Sequence, residues 1–180
     1  NEKKSIGLLA TYALGDKGNI GYSNYIGDDT PASGDSISHS RFHQNLFWNY
    51  QIKQLKIQIG ADYCMQENSD TTGTKSADMF SGVLSLKYQF TTKYAVYARE
   101  EFFNDEHGYM STRFIDGKGK QTGYVLTGIT AGIEYKPTDN SYIRLETRSL
   151  QRDDAQKIFW WDKEARSSRT EILINLGVSF

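Results

Sequence analysis

Leu55-Lys-Ile-Gln-Ile-Gly-Ala-Asp-Tyr-Cys-Met-Gln66 is the stretch on which the fold turns. Leu55, Ile57, Ile59, Ala61, Tyr63 and Met65 alternate with Lys56, Gln58, Gly60, Asp62, Cys64 and Gln66. Successive side chains of a strand point to opposite faces, so this segment has one apolar face and one small or polar face. It exceeds the roughly 5–6 residues usual in a soluble sheet. It is long enough instead for the roughly 9–11 that a tilted strand needs to cross a bilayer.

The same period of two runs outward in both directions. Nine strands are predicted: Ser5–Ala13, Asn19–Gly27, Arg41–Ile52, Leu55–Gln66, Met79–Phe90, Tyr94–Phe103, Thr122–Tyr135, Ser141–Leu150 and Thr170–Phe180. In the last, Ile172, Ile174, Leu176, Val178 and Phe180 share one face, and Glu171, Asn175, Gly177 and Ser179 the other. No segment offers a helical stripe, and neither a repeat nor a linker divides the chain. Only 2 Pro against 16 Gly, with 12 Tyr in 180 residues, is not the composition of a helical domain.

Composition excludes several classes of function. With 21 basic and 22 acidic side chains the formal charge is −1, so no basic surface invites nucleic acid. A lone cysteine, Cys64, cannot build a disulfide framework or a thiolate metal cage. No run of 18 apolar residues is present, so no transmembrane helix is expected. The chain starts Asn1-Glu2-Lys3-Lys4 without an initiator Met or a signal-peptide core, which reads as processed or truncated.

Alternation alone fits two architectures: a soluble barrel with its apolar face inward, or a membrane barrel with that face toward lipid. Aromatic placement and loop length favour the second. Tyr12, Trp48, Tyr50, Tyr88, Phe90, Tyr94, Tyr135 and Phe180 fall near one set of strand ends, and Phe42, Tyr63, Phe80 and Phe102 near the other. Membrane barrels carry such girdles at both interfaces. Connections alternate short and long: Gly15–Gly18, Lys53–Gln54, Thr91–Lys93 and Lys136–Asn140 are tight. Asp28–Ser40, Glu67–Ala77, Asn104–Gln121 and Gln151–Arg169 are long. Short periplasmic turns and longer external loops are the habit of outer-membrane barrels.

Three segments carry a resemblance to a known family. Ile172-Leu-Ile-Asn-Leu-Gly-Val-Ser-Phe180 resembles the closing strand of bacterial outer-membrane proteins, whose final aromatic is read by the assembly machinery. Tyr97-Ala-Arg-Glu-Glu-Phe-Phe-Asn-Asp-Glu-His-Gly108 and Gly132-Ile-Glu-Tyr-Lys-Pro-Thr-Asp-Asn-Ser-Tyr-Ile-Arg-Leu-Glu-Thr-Arg148 resemble signatures of the β-barrel porin-2 (OmpL-like) family. The resemblance covers Met79–Phe180 well and is only pattern-like before that. It implies a porin-like outer-membrane barrel of a Gram-negative bacterium, longer than this chain, with no catalytic residues and no cofactor to carry over. Implied partners are outer-membrane lipid and the assembly machinery through Phe180; Glu100 and the odd strand number point in addition to another membrane-protein chain. Glu100 departs from the family, which places a small or apolar residue there.

The expected fold class is therefore all-β, an antiparallel transmembrane β-barrel. Residues 1–180 are one barrel domain or the C-terminal part of a larger, even-stranded one. Nine strands with Phe180 at the periplasmic side would send the first strand downward, leaving at least one upward strand to come from elsewhere. The phase of the apolar residues turns Lys56, Asp62, Lys87, Arg99, Glu101, Glu134, Arg144, Glu146, Arg148 and Glu171 into the lumen, five positive against five negative. That balance implies weak charge selectivity in a pore passing small polar solutes. Glu134 should lie level with Arg144, and Glu171 somewhat above Arg148.

Other chemistry is thin. His39-Ser40-x-x-His43 suggests nucleophilic catalysis or metal binding, but the loop context gives no oxyanion hole and no carboxylate is spaced in sequence to orient either histidine. Asp28-Asp29, Asp105-Glu106 and Asp153-Asp154 are oxygen pairs of the kind calcium takes, without EF-hand spacing. Trp160-Trp161, amid charge, reads as a partner or ligand contact or as loop packing, and Glu100 as a contact to another protein chain. Two other functions fit the alternation: a soluble calycin-like barrel binding an apolar ligand, and a barrel enzyme modifying lipid.

Overall fold

Strict alternation over long segments produces one large sheet. A computed structural model describes residues 3–30, 37–152 and 156–179. Its strands are β1 (Ile6–Ala13), β2 (Gly18–Asp28), β3 (Ser40–Ile52), β4 (Leu55–Gln66), β5 (Ala77–Gln89), β6 (Tyr94–Asp105), β7 (Phe114–Ile115), β8 (Gln121–Thr122), β9 (Tyr124–Tyr135), β10 (Ser141–Arg152), β11 (Phe159–Trp161), β12 (Glu164–Arg166) and β13 (Ser168–Val178). Nine form one antiparallel sheet in the order β1-β2-β3-β4-β5-β6-β9-β10-β13, each strand beside its neighbour in the chain. The sheet is not closed: β1 and β13 are its edges. After eight antiparallel steps these edges run in the same direction, so a direct joint between them would be parallel. Phe180 and Asp153-Asp154 lie outside the described residues.

The nine expected strands are all present, with ends shifted by a few residues. Two long loops carry hairpins that the alternation did not announce, β7–β8 and β11–β12. These are too short for a period to show. Thr122, expected in the seventh long strand, belongs to β8, because the chain breaks at Gly123, whose amide donates to Glu106 O at 2.6 Å. A Cβ on Gly123 would stand 2.1 Å from Asp105 O. The Lys53–Gln54 turn is tight, with Lys53 in the left-handed region at φ 51°.

Register gives each face its content. Leu84 pairs with Ile59 and Glu100, and Glu100 with Ile129, all on the convex face. That face is exposed and apolar. At the short-turn end Trp48 stacks on Tyr50 (5.5 Å between centroids), Tyr94 on Tyr135 (5.0 Å), and Tyr88 meets Phe90 edge-on. At the other end Phe80 and Phe102 are 6.0 Å apart. From Tyr88 to Phe80 is about 27 Å along the strand, or about 21 Å across a membrane at a tilt of ~40°. That is close to the roughly 25 Å apolar band of a membrane barrel.

Glu100 interrupts this band. It is exposed, and it sits in an unbroken ladder between Leu84 and Ile129. No bulge turns it to the other face. A second polar spot lies on β2 and β3, where Asn24 donates to Tyr22 Oη at 3.3 Å and the Tyr22 hydroxyl donates to Gln44.

Candidate functional site

The opposite, concave face carries the charge. Register aligns Lys56 with Lys87, Lys87 with Tyr97, Tyr97 with Gly132, and Gly132 with Glu146, so these positions share one face from β4 to β10. The same phase brings Asp62, Arg99, Glu101, Glu134, Arg144, Arg148 and Glu171 to that face. Several contacts there skip a strand. Lys87 on β5 reaches Glu134 on β9, Tyr97 on β6 reaches Glu146 on β10, and Arg148 on β10 reaches Glu101 on β6. Side chains can bridge alternate strands only where the sheet curls toward them.

Glu134 is the centre of this network. It is 2% exposed, and its two oxygens accept from Lys87 Nζ at 2.6 Å and Arg144 Nε at 2.7 Å. Arg144 pairs with Glu134 in register, as expected, and its guanidinium also lies 4.3 Å from the centre of the Tyr142 ring. Arg99 pairs with Glu101 at 3.2 Å, and Glu101 also accepts from Arg148. Here the structure corrects the expected heights. Arg148 is level with Glu171, not below it, yet its ion pair is with Glu101, while Glu171 pairs with Arg169 at 2.5 Å.

Glycines on this face clear paths for the long side chains. Tyr97 donates to Glu146 at 2.7 Å across Gly132, where an added Cβ would meet the Tyr97 ring at 2.5 Å. Phe47 over Gly21 and Tyr142 over Gly177 repeat the arrangement between register partners. Aromatic cover of a strand glycine restores the packing that the missing side chain forfeits.

His39 and His43 are separated. His43 lies on the concave face with its Nε2 3.1 Å from Asp62 Oδ1, and Asp62 also accepts from Asn45 and Ser81. A carboxylate does therefore face His43. It comes from the neighbouring strand through the β3–β4 pairing, where spacing along the chain does not show it. His39 Nδ1 lies 3.2 Å from both Ser69 Oγ and Glu67 O in the long-loop region, while the Ser69 hydroxyl donates to Glu67 O.

The Glu106–Gly123 connection folds onto the concave face at the long-loop end. Asp105, fully buried, accepts from the amides of Tyr109, Met110 and Ser111 and from the Ser111 hydroxyl. That turn sends Tyr109 across to β4, where its hydroxyl donates to Cys64 O at 2.7 Å, and Cys64 is fully buried. Burial first, and the Cys64 side chain second, push the Tyr109 phenol above its ordinary value. Arg113 ties the loop to the next one, donating to Ser69 O and Asp70 O at 2.9 Å. Arg152, also buried, lies 4.6 Å from the ring centres of both Phe114 and Tyr124.

The acidic pairs serve their own loops. Asp28 accepts from Lys3, Thr30 and Ser38; Asp29 accepts from Tyr25 and pairs with Arg41. Glu106 pairs with Lys120 at 2.9 Å. Trp160 and Trp161 sit on the β11–β12 hairpin, 73% and 69% exposed, so the described residues of the loop do not bury them.

Tyr97, Tyr109, Arg41, His43 and Arg152 belong to this face or its cover, and none was among the ten charged positions read from phase. Tyr97 and Arg41 had a signal, since both alternate with outward residues. Tyr109 and Arg152 are placed by a loop fold that alternation does not encode.

A cavity of about 570 Å³ lies on the concave face at the short-turn end, lined by Lys56, Lys87, Tyr97, Arg99, Thr130 and Arg144 among others. An apolar convex face between two aromatic girdles, backed by a concave face of ion pairs and a cavity, defines the wall of a porin-type membrane barrel. The chain belongs to the family described as "Putative beta-barrel porin-2, OmpL-like", whose family model matches residues 1–180, the whole chain. The likeness thus extends over the strands before Met79. No curated protein and no solved structure matches it.

Proposed function

We propose that this protein forms the wall of an outer-membrane pore in a Gram-negative bacterium, passing small polar solutes along its concave face. The observation that carries this is the inverted polarity of the sheet: the large apolar residues are mostly exposed, and the largest fully buried side chains among the described residues are Glu134, Thr130, Asp105 and Cys64. A soluble ligand-binding barrel of the calycin kind keeps its apolar residues inside, and its surface is polar. The short turns face the periplasm, and the long loops, with Tyr109 folded across the concave face, narrow the entrance from outside. The ion pairs line the route as charged pore elements do. Glu100 and the Trp160–Trp161 hairpin are contacts to other membrane or surface chains, and Phe180 is the assembly signal.

Purified protein in planar bilayers tests the pore directly. Discrete conductance steps, and entry of small sugars into protein-bearing vesicles, are expected. A protein that inserts into vesicles but admits neither ions nor sugars would overturn the reading.

A further inference from the structure

The charges of the concave face balance in number but not in position. The cavity at the short-turn end is lined by Lys17, Lys56, Lys87, Arg99 and Arg144. Against these five stand only Asp16 and Glu146 in its lining, while outside it Glu134 is engaged by Lys87 and Arg144, and Glu101 is shared by Arg99 and Arg148. Lys56 is directly opposite Lys87 in the β4–β5 ladder and makes no ion pair among the described residues. Like charges directly opposite each other destabilise a sheet. The uncharged Gln58 and Ser85, paired on the same face one step away, show that the ladder does not require charge here.

Two further groups are unmet. Arg99 Nε is buried without an acceptor, and so is the hydroxyl of Thr130, the register partner of Arg99 and only 2% exposed. Both residues line the cavity. Unpaired buried donors and a local excess of positive charge lack the same thing, an acceptor that carries negative charge. Water supplies the first and not the second. The cavity volume falls in the range of roughly 300–1,000 Å³ typical of small-molecule sites. The Tyr97 ring gives the carbon frame of a ligand a surface to lie on.

We propose that this cavity binds a small organic anion through a carboxylate or phosphate group, held by Lys56 and Arg99 over the Lys87–Glu134–Arg144 cluster. The anion as a passing solute rests on the pore reading above; its binding does not. An anion site at one end also changes the expected behaviour of the pore: five positive and five negative positions along the wall do not make it indifferent to charge.

Calorimetric titration of the full chain in detergent micelles, with succinate and inorganic phosphate as probes and glucose as the neutral control, tests this without requiring an open pore. Saturable binding of one or both anions is expected, and which one binds distinguishes carboxylate from phosphate chemistry. Lys56→Gln and Arg99→Gln should each weaken it about tenfold or more, Lys56→Arg should retain it, and Lys163→Gln in the β11–β12 turn should leave it unchanged. Circular dichroism confirms that each variant is folded. No saturable binding of either anion, or binding unaltered by both glutamine variants, would overturn the site. Conductance without anion binding would remove this site and leave the pore; anion binding without conductance would do the reverse.

Discussion

Replacing Glu134 by Gln tests whether the ion-pair cluster holds the wall together. Glu134 is almost fully buried, and it accepts two charge-assisted hydrogen bonds, from Lys87 at 2.6 Å and Arg144 at 2.7 Å. Such bonds contribute about 1.5–3 kcal/mol each when both partners are shielded. The Lys87 and Arg144 side chains are 27% and 35% exposed, so water recovers part of the loss when the carboxylate goes. Taking the lower figure and discounting it by about a third leaves ~1 kcal/mol per bond, and ~2 kcal/mol for the two. Glutamine keeps the shape, so cavity formation does not enter; its remaining acceptor is uncharged and its NH2 faces a cation, so both bonds lose their charge assistance. The assay is equilibrium unfolding in urea from lipid vesicles, followed by tryptophan fluorescence, with the midpoint converted through an unchanged slope. A double cycle with Lys87→Met isolates the pair, and coupling of about 1 kcal/mol is expected. A Glu134→Gln loss below about 0.5 kcal/mol, with no coupling to Lys87, would refute the reasoning and make the cluster incidental to stability.

Three other perturbations have definite expected outcomes. Glu100→Leu should stabilise the isolated protein in lipid vesicles by about 1 kcal/mol, because a lipid-facing carboxylate carries a cost smaller than the ~2–4 kcal/mol of Lys or Arg at mid-depth; urea unfolding measures it, and a loss of stability would contradict the outward placement. Cys64 should resist a membrane-impermeant maleimide in folded protein, and Tyr109→Ala, which removes the cover over β4, should speed labelling at least about tenfold, as read by mass spectrometry. The Asp70 carboxyl lies well below its ordinary value of 3.8, first through the Thr72 hydroxyl and then the Lys75 amide. A depressed carboxylate contributes in full above its ordinary value and loses its contribution as pH falls below it, so the 67–76 loop should hold at neutral pH and loosen in acid. Asp70→Asn should reproduce the acid state at pH 7 as faster hydrogen exchange at the Thr74 and Lys75 amides, measured by NMR.

The strands were legible because alternation is a local property. In Leu55–Gln66 the face of each side chain follows from its parity, and the membrane reading follows from the length of such runs and the placing of aromatics at their ends. Glu134 and Arg144 could be paired across the Lys136–Asn140 hairpin for the same reason, since a short turn fixes the register of the strands it joins. Phase also turned ten charged residues toward one face, but it carries no information about reach.

What tertiary structure decided was contact across the curl of the sheet and the folding of the long loops. Arg148 chose Glu101, two strands away, over Glu171 directly beside it, and His43 found Asp62 on the next strand; both depend on curvature and side-chain length, which parity does not record. The descent of Tyr109 onto Cys64 depends on Asp105 capping three loop amides, a local fold with no period to betray it. Charge tells the same story. The sequence by itself determined an almost neutral chain whose charged strand positions mostly share one face, because composition and parity are both written along the chain. Only the curled sheet gathered Lys56, Lys87, Arg99 and Arg144 around one cavity, because height and register across five strands are set by how the strands pair.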